Sequence, residues 1–247
     1  MRYKLLTDES DNLKLLKSSK SEYYSVGLSL APHSLAGVNV CQFSTPVCRK
    51  HCVAFSGNGS IPSVSDARIR KTKLFFSDRK AFLADLKNDL EKARDAAKSN
   101  GRNLACRLNV FSDIPWERVD PGLFVEFSDV QFYDYTKNPN RAVNFAVGLF
   151  PPNYHLTFSR SEANERTAIA VLMKGCNVAV VLSQFRNTPL PSTWHGITMI
   201  DGDKIDLRFL DPKGVVVGLR AKGTMRNEAS SFVDRGPTQQ HLLDTLS

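Results

Sequence analysis

The chain has 247 residues, of which 42% are hydrophobic, so it is long enough to form one sizeable domain with its own core. No run approaches the roughly 18 apolar residues that span a bilayer, and the first 22 residues mix both charges, unlike a secretory leader or a transit peptide. We therefore expect a cytoplasmic protein with no membrane association. The net charge is +8, and basic residues are densest at 68–73. This allows nucleic-acid binding through a basic surface, although a solvated helix face explains the basic segment more simply.

The first predicted elements are a strand and a loop rich in cysteine. Residues 23–30 alternate apolar and small side chains and predict a strand that ends before Pro32. The cysteine loop, residues 33–60, follows directly. In architectures that alternate strands and helices, the loop after the carboxyl end of a strand is where cofactors are held.

Three of the five cysteines lie in this loop, with the spacing C-x6-C-x3-C. Cys41, Cys48 and Cys52 can converge on one point, and a disulfide would pair two of them and leave the third over. Three thiolates suit a [4Fe-4S] cluster in which one iron has no cysteine ligand. The alternatives are a zinc ion completed by His33 or His51, or ordinary reduced cysteines.

The middle of the chain predicts helices and then repeated strand–helix units. A Ser63-x-x-Asp66 capping box indicates a helix over about 64–76, and apolar residues at helical spacing indicate a second helix from 77 or 78 to 100. Strands are then predicted at 104–111, 130–135, 154–158 and 177–182, with helices capped by Asp120, Asn138 and Ser161 between them. Cys106 and Cys176 lie on or beside these strands and are expected to be buried thiols.

The recurring spacing of about 23 to 25 residues across 104–182 indicates a parallel sheet. The chain is too short for eight such units, so we predict a partial, open parallel α/β barrel of five to seven strands, with an open doubly wound sheet as the alternative. Residues 197–220 predict a C-terminal β-meander of three strands joined by turns. We expect residues 1–223 to form a single domain and 224–247 a polar tail.

Polar residues follow the predicted strands. If the sheet is parallel, these residues share its carboxyl edge with the cysteine loop, where they could bind a small polar ligand or cofactor at the open iron. The candidates for binding are Asn109, Asp134, Thr136 and Ser159. Asp134 or Lys137 could serve as acid, base or charge partner. Helix capping and turn formation are the alternative roles of Asp113, Asn138 and Ser161.

Several segments of the chain, taken in order, match the pattern of one known family. They are the cysteine loop, Ala67–Thr72, Arg107–Asn109, Phe132–Lys137, Leu156–Ser159 and the segment from Asp201 to Pro212. Together they resemble the bacteriophage family called gene product 88. The resemblance covers roughly residues 25–223 and implies a viral protein that acts in the host cytoplasm; it implies no activity.

The position of the cysteines also resembles radical S-adenosylmethionine enzymes, which hold a three-cysteine [4Fe-4S] cluster after the first strand of a partial α/β barrel. Those enzymes typically have the spacing C-x3-C-x2-C and a glycine-glycine-glutamate stretch, where this chain has Asn109–Ser112. This resemblance implies S-adenosylmethionine as a cofactor. From the sequence we expect an iron–sulfur protein engaged in redox or radical-type chemistry, or in electron transfer with a redox partner. The alternative is a zinc-stapled, basic nucleic-acid-binding protein.

Overall fold

The computed structural model describes residues 3–9 and 21–236, and these residues form a mixed α/β structure around one sheet. The strands are β1 (Leu6–Asp8), β2 (Tyr23–Leu28), β3 (Asn103–Arg107), β4 (Gln131–Thr136), β5 (Tyr154–Ser159), β6 (Val178–Leu182), β7 (Thr193–Trp194), β8 (Ile197–Asp201), β9 (Val216–Arg220) and β10 (Val233–Asp234). The helices are α1 (Pro46–Lys50), α2 (Pro62–Ser77), α3 (Arg79–Ser99), α4 (Trp116–Val119), α5 (Pro121–Glu126), α6 (Pro139–Ala146) and α7 (Glu165–Met173). Short 3-10 turns lie at Val53–Phe55, Gly57–Ser60, Arg208–Leu210 and Gly223–Asn227.

The sheet is open and mostly parallel, with the order β1-β2-β3-β4-β5-β6-β9-β8-β7 and β10 beside β6. Strands β2 to β6, β9 and β8 run parallel to their neighbours, whereas β1 and β7 pair antiparallel at the two edges. Parallel neighbours need a crossover connection, which the intervening helices provide for β2 to β6. The predicted parallel α/β sheet is confirmed. Among the described residues it has ten strands, including the two antiparallel edge strands. The closing of the sheet into a partial barrel of five to seven strands stays a prediction.

Apolar side chains at helical and strand spacing build two main cores against the sheet. The larger core packs α2 to α5 on strands β1 to β5, and the second packs α6 and α7 on the remaining central strands. Helix α3 shows the reason most clearly, because its buried residues recur every three or four positions along one face. They are Phe82, Leu86, Leu90, Ala93 and Ala97.

Helix starts follow the local chemistry in most cases. Side chains of Asp120 and Asn138 accept backbone N–H groups at the starts of α5 and α6, as predicted. Helix α2 begins at Pro62 with no side-chain cap, so the predicted capping role of Ser63 is wrong; the fixed backbone angle of proline suits a first helical turn. Helix α7 begins after Asn164 rather than after Ser161.

The predicted β-meander is wrong in its topology. Strands β8 and β9 pair in parallel, and the residues between them form a crossover instead of a third strand. Leu207 anchors this crossover by packing against Ala105 and Tyr133. Because these two residues alternate along their strands with residues of the larger core, the crossover covers the opposite face of the sheet.

The segment after β9 also packs on the sheet. Residues 224–236 belong to the stretch expected to form a polar tail, yet Met225, Phe232 and Val233 are buried. Strand β10 pairs with the carboxyl half of β6, whereas β5 pairs only with its first two residues. The C-terminal segment therefore takes a place in the sheet where β5 and β6 no longer pair. Residues 237–247 lie outside the described part of the chain.

Candidate functional site

The cysteine loop lies across the carboxyl edge of the parallel strands. The amide N–H of Asp113, in the loop after β3, donates to the Val40 carbonyl over 2.8 Å. The Thr45 hydroxyl donates to the carboxylate of Glu162, in the loop after β5, over 2.8 Å. The fold thus brings the loop to the edge at which cofactors are held in parallel sheets.

Helix α1, within this loop, is fastened to the C-terminal segment. His51 Nδ1 lies 2.8 Å from the Thr224 hydroxyl, and His51 Nε2 lies 2.6 Å from the Glu228 carboxylate. Lys50 reaches the same carboxylate at 3.2 Å, and Cys48 packs against the apolar cluster that contains Phe232. Because both ring nitrogens of His51 are engaged, neither has a lone pair available for a metal in this arrangement.

Cys41 is the thiol of the loop whose surroundings the structure defines best. Cys41 is half-buried, and its sulfur donates to the Phe111 carbonyl and accepts the His33 amide, each at 3.3 Å. Burial raises the pKa of the Cys41 thiol to about 12, against the hydrogen bond from the His33 amide, which lowers it; the negative charges of Cys48 and Cys52 contribute to the rise. That interaction places Cys48 and Cys52 within electrostatic range of Cys41.

A cation stands beside this group. Burial lowers the pKa of Arg68, and the negative charge of Cys52 opposes that shift. The Arg68 guanidinium lies 4.5 Å from the centre of the Phe111 ring and donates to the Ala54 carbonyl over 2.8 Å. Arg68 is therefore placed to stabilise negative charge on Cys52.

The thiols form neither a disulfide nor a finished coordination shell. All five cysteines are unbridged, and in the residues that the structure describes no three His, Cys, Asp or Glu side chains are arranged to hold a metal ion. Cysteine binds metals as the thiolate, so binding a metal here would require these thiols to release their protons.

Two of the predicted ligand-binding residues, Asn109 and Asp134, are buried and hydrogen-bonded to other residues of the fold. Asp134 is fully buried and accepts the Asn109 amide N–H at 2.6 Å and the Tyr154 hydroxyl at 2.7 Å. Burial raises the pKa of Asp134 to about 7, against the hydrogen bond from Tyr154, which lowers it. The Asn109 side-chain oxygen accepts from Ser112, Ile114 and Trp116. Asn109 and Asp134 thus hold the loop after β3.

Of the other candidates, Thr136 is bonded within the fold, and Lys137 and Ser159 have partly accessible side chains. The Thr136 hydroxyl donates to Asp113 over 2.7 Å, and the same carboxylate accepts from the buried Arg141. Lys137 Nζ donates to the Ser159 hydroxyl over 2.5 Å, and both residues are only half-buried. Of the predicted ligand-binding and catalytic residues, Lys137 and Ser159 are the two with partly accessible side chains at this edge.

Sequence reasoning missed the charged groups that support the site. Arg141 is 2% exposed and makes two bonds of 2.9 Å to Glu117, and Glu228 holds α1 in place. Charged residues are usually exposed, and no local sequence pattern marks Arg141 or Glu228 as buried. The Asn138-Pro139 helix start near Arg141 was the one local signal of an ordered turn there.

The fold and the site define a mixed α/β protein with a cysteine-bearing loop across the carboxyl edge of a mostly parallel sheet. The family model described as Gene product 88 matches residues 4–236, and the chain belongs to that family of bacteriophage proteins. No curated protein and no solved structure matches the chain. Among the described helices, none combines the length and apolar character needed to cross a membrane.

Proposed function

We propose that this protein is a bacteriophage iron–sulfur protein that holds a [4Fe-4S] cluster through Cys41, Cys48 and Cys52, with one iron open to another ligand. The observation that carries the proposal is the presence of three unbridged cysteines, spaced C-x6-C-x3-C, on one loop that lies across the carboxyl edge of the parallel strands. A cubane cluster takes one thiolate per iron, so three thiolates leave one iron available.

The surroundings of the thiols support this donor set. Sulfur ligands favour iron–sulfur clusters or zinc over hard cations such as magnesium. Arg68 offsets the negative charge that three thiolates would bring to the loop. His51 has both ring nitrogens engaged, which favours a set of three cysteines over a Cys3His zinc site that uses this histidine. When bound, such a cluster supplies one-electron redox chemistry; S-adenosylmethionine as its cosubstrate stays a prediction.

The test is metal and sulfide analysis of the full chain purified without oxygen. We expect about four irons and four sulfides per chain, with a broad absorption shoulder in the visible range. Replacing Cys41, Cys48 or Cys52 by serine should remove most of the iron. The matched controls are Cys106→Ala and Cys176→Ala, two buried cysteines of the core, which should retain it.

Two outcomes would contradict the proposal. Iron content that is unchanged in all three serine variants would remove the cysteines as ligands. One zinc per chain with no iron would instead favour the zinc-stapled alternative, and a gel shift with duplex DNA across a salt series would then test the basic surface, because phosphate contacts give a steep salt dependence.

A further inference from the structure

Lys137 carries a half-buried ammonium group at the carboxyl edge of the sheet. Its Nζ donates to Ser159 Oγ over 2.5 Å and lies 5.5 Å from the centre of the Phe232 ring. Within the described ranges, no carboxylate forms an ion pair with it. A hydroxyl and a ring face compensate the half-buried positive charge only in part. The lysine is therefore suited to receive a negatively charged group.

A second, independent observation comes from Thr157, which lies two positions before Ser159 on β5. Thr157 is fully buried, and its hydroxyl has no hydrogen-bond partner among the described residues. Side chains two positions apart on a strand point to the same face, so Thr157 and Ser159 face the same side. Buried hydroxyl groups almost always have a partner, which points to a bound polar molecule or water at this place.

The position of Lys137 connects it to the cysteine loop. The Phe232 ring that faces the ammonium group belongs to the apolar cluster against which Cys48 packs. Lys137 and Cys48 are thus neighbours of the same apolar cluster. A molecule bound by Lys137 would lie beside the cysteine loop.

We propose that Lys137 and Ser159 form a binding subsite for the oxyanion, carboxylate or phosphate, of a small polar molecule, with the Thr157 hydroxyl bonded to a neutral polar group of the same molecule. Lysine binds such anions as a point charge, and the serine hydroxyl can donate once the ammonium group turns to the ligand. The role of this subsite in holding a substrate for the cysteine loop rests on the proposed function. The binding of an oxyanion by Lys137 and Ser159 does not depend on it.

The test is titration of the full chain with inorganic phosphate and, separately, with acetate, followed by NMR at the backbone amides of Lys137 and Ser159. We expect saturable shifts that Lys137→Met abolishes and Lys137→Arg largely retains. Ser159→Ala should weaken binding about fivefold, as the loss of one hydrogen bond of about 1 kcal/mol implies. Lys98→Met, at an exposed lysine of α3, is the matched control and should bind as the wild type does.

Each outcome has one meaning. Saturation by phosphate alone assigns a phosphorylated ligand, and saturation by acetate assigns a carboxylate. Saturation by neither anion, or equal binding by the wild type and Lys137→Met, overturns the subsite. If Lys137→Met does not fold, Lys137→Gln and Ser159→Ala provide the comparison. A wild-type protein that binds phosphate but contains no iron contradicts the proposed cluster and leaves the subsite standing.

Discussion

Asp134 is a buried carboxyl group whose ionisation the fold opposes. Its pKa is about 7 in the folded chain, mainly because of burial, against an ordinary value near 4. Between these values the folded state binds more protons than the unfolded state, so this group's contribution to stability is full below about pH 4 and is lost as the pH rises to 7. We expect urea denaturation at pH 5, 6, 7 and 8 to show this fall, and Asp134→Asn to lack it. Parallel pH profiles for the two proteins would show that Asp134 ionises as it does in water.

Asn109 is the acceptor that organises the loop after β3. Its side-chain oxygen serves three donors, which come from Ser112, Ile114 and Trp116. Asn109→Ala would leave these buried donors without their acceptor, and each such loss costs about 1 to 3 kcal/mol. We expect a loss of about 3 kcal/mol or more in the free energy of unfolding, measured in urea. Asn140→Ala, at an exposed residue of α6, should change it by less than about 0.5 kcal/mol; an equal effect of both changes would contradict this role.

Only part of the residue-level picture could be predicted from the sequence. Placing Lys137 and Ser159 at one edge required only the strand pattern and the rule that parallel strands share a carboxyl edge. The burial of Asp134 and Asn109 depends on partners far along the chain, such as Tyr154, and no local pattern carries that information. Candidate ligand-binding residues and structural polar residues therefore look alike in the sequence.

At the level of elements, α1 is held in place more by the contacts of His51 with the C-terminal segment than by the helix's own stability. The helix has five residues, too few to be stable alone, and His51 ties its end to Thr224 and Glu228. We expect His51→Ala to speed hydrogen exchange of the amides of residues 47–52 at least tenfold, measured by mass spectrometry.

Lys50→Ala is the control for that change. Lys50 binds the same Glu228 carboxylate, but its side chain is 69% exposed, and exposed ion pairs contribute little. Its exchange rates should stay close to those of the wild type. If both variants exchange alike, the histidine has no special part in holding α1.

The elements that were predicted well are those whose signal is local. The apolar face of α3 and the caps Asp120 and Asn138 each depend on residues within a few positions. The parallel pairing of β8 with β9 and the insertion of β10 depend on contacts between distant segments. A turn-rich stretch such as 201–214 fits a hairpin and a crossover equally well, so local chemistry could not decide between them.

At the level of the whole molecule, the cysteine loop is held from three sides. The loop after β3 binds it through Asp113, the loop after β5 through Glu162, and the C-terminal segment through Glu228. These contacts join residues more than 70 positions apart, so the arrangement of the thiols depends on the complete sheet. A fragment that contains only the cysteine loop should not reproduce it.

Truncation tests how far the fold needs its C-terminal segment. Ending the chain after Gly223 would remove Phe232 and Val233, and the burial of two such side chains contributes about 3 to 6 kcal/mol. It would also take from the buried Arg160 the backbone carbonyls of Ser231 and Phe232. Because domains are stable by only about 5 to 15 kcal/mol, we expect this form to be largely unfolded by circular dichroism at 37 °C.

Ending the chain after Gly236 is the matched control, because it removes only the eleven residues 237–247 and none of the described contacts of β10. This form should keep the melting temperature of the full chain within about 2 °C, which corresponds to about 1 kcal/mol or less for a chain of this size. Faster hydrogen exchange of the cysteine loop only in the form that ends after Gly223 would show that β10 and Glu228 help the sheet to hold the loop. A folded, stable chain ending at Gly223 would show that residues 1–223 suffice, and β10 would then be a dispensable addition to the sheet.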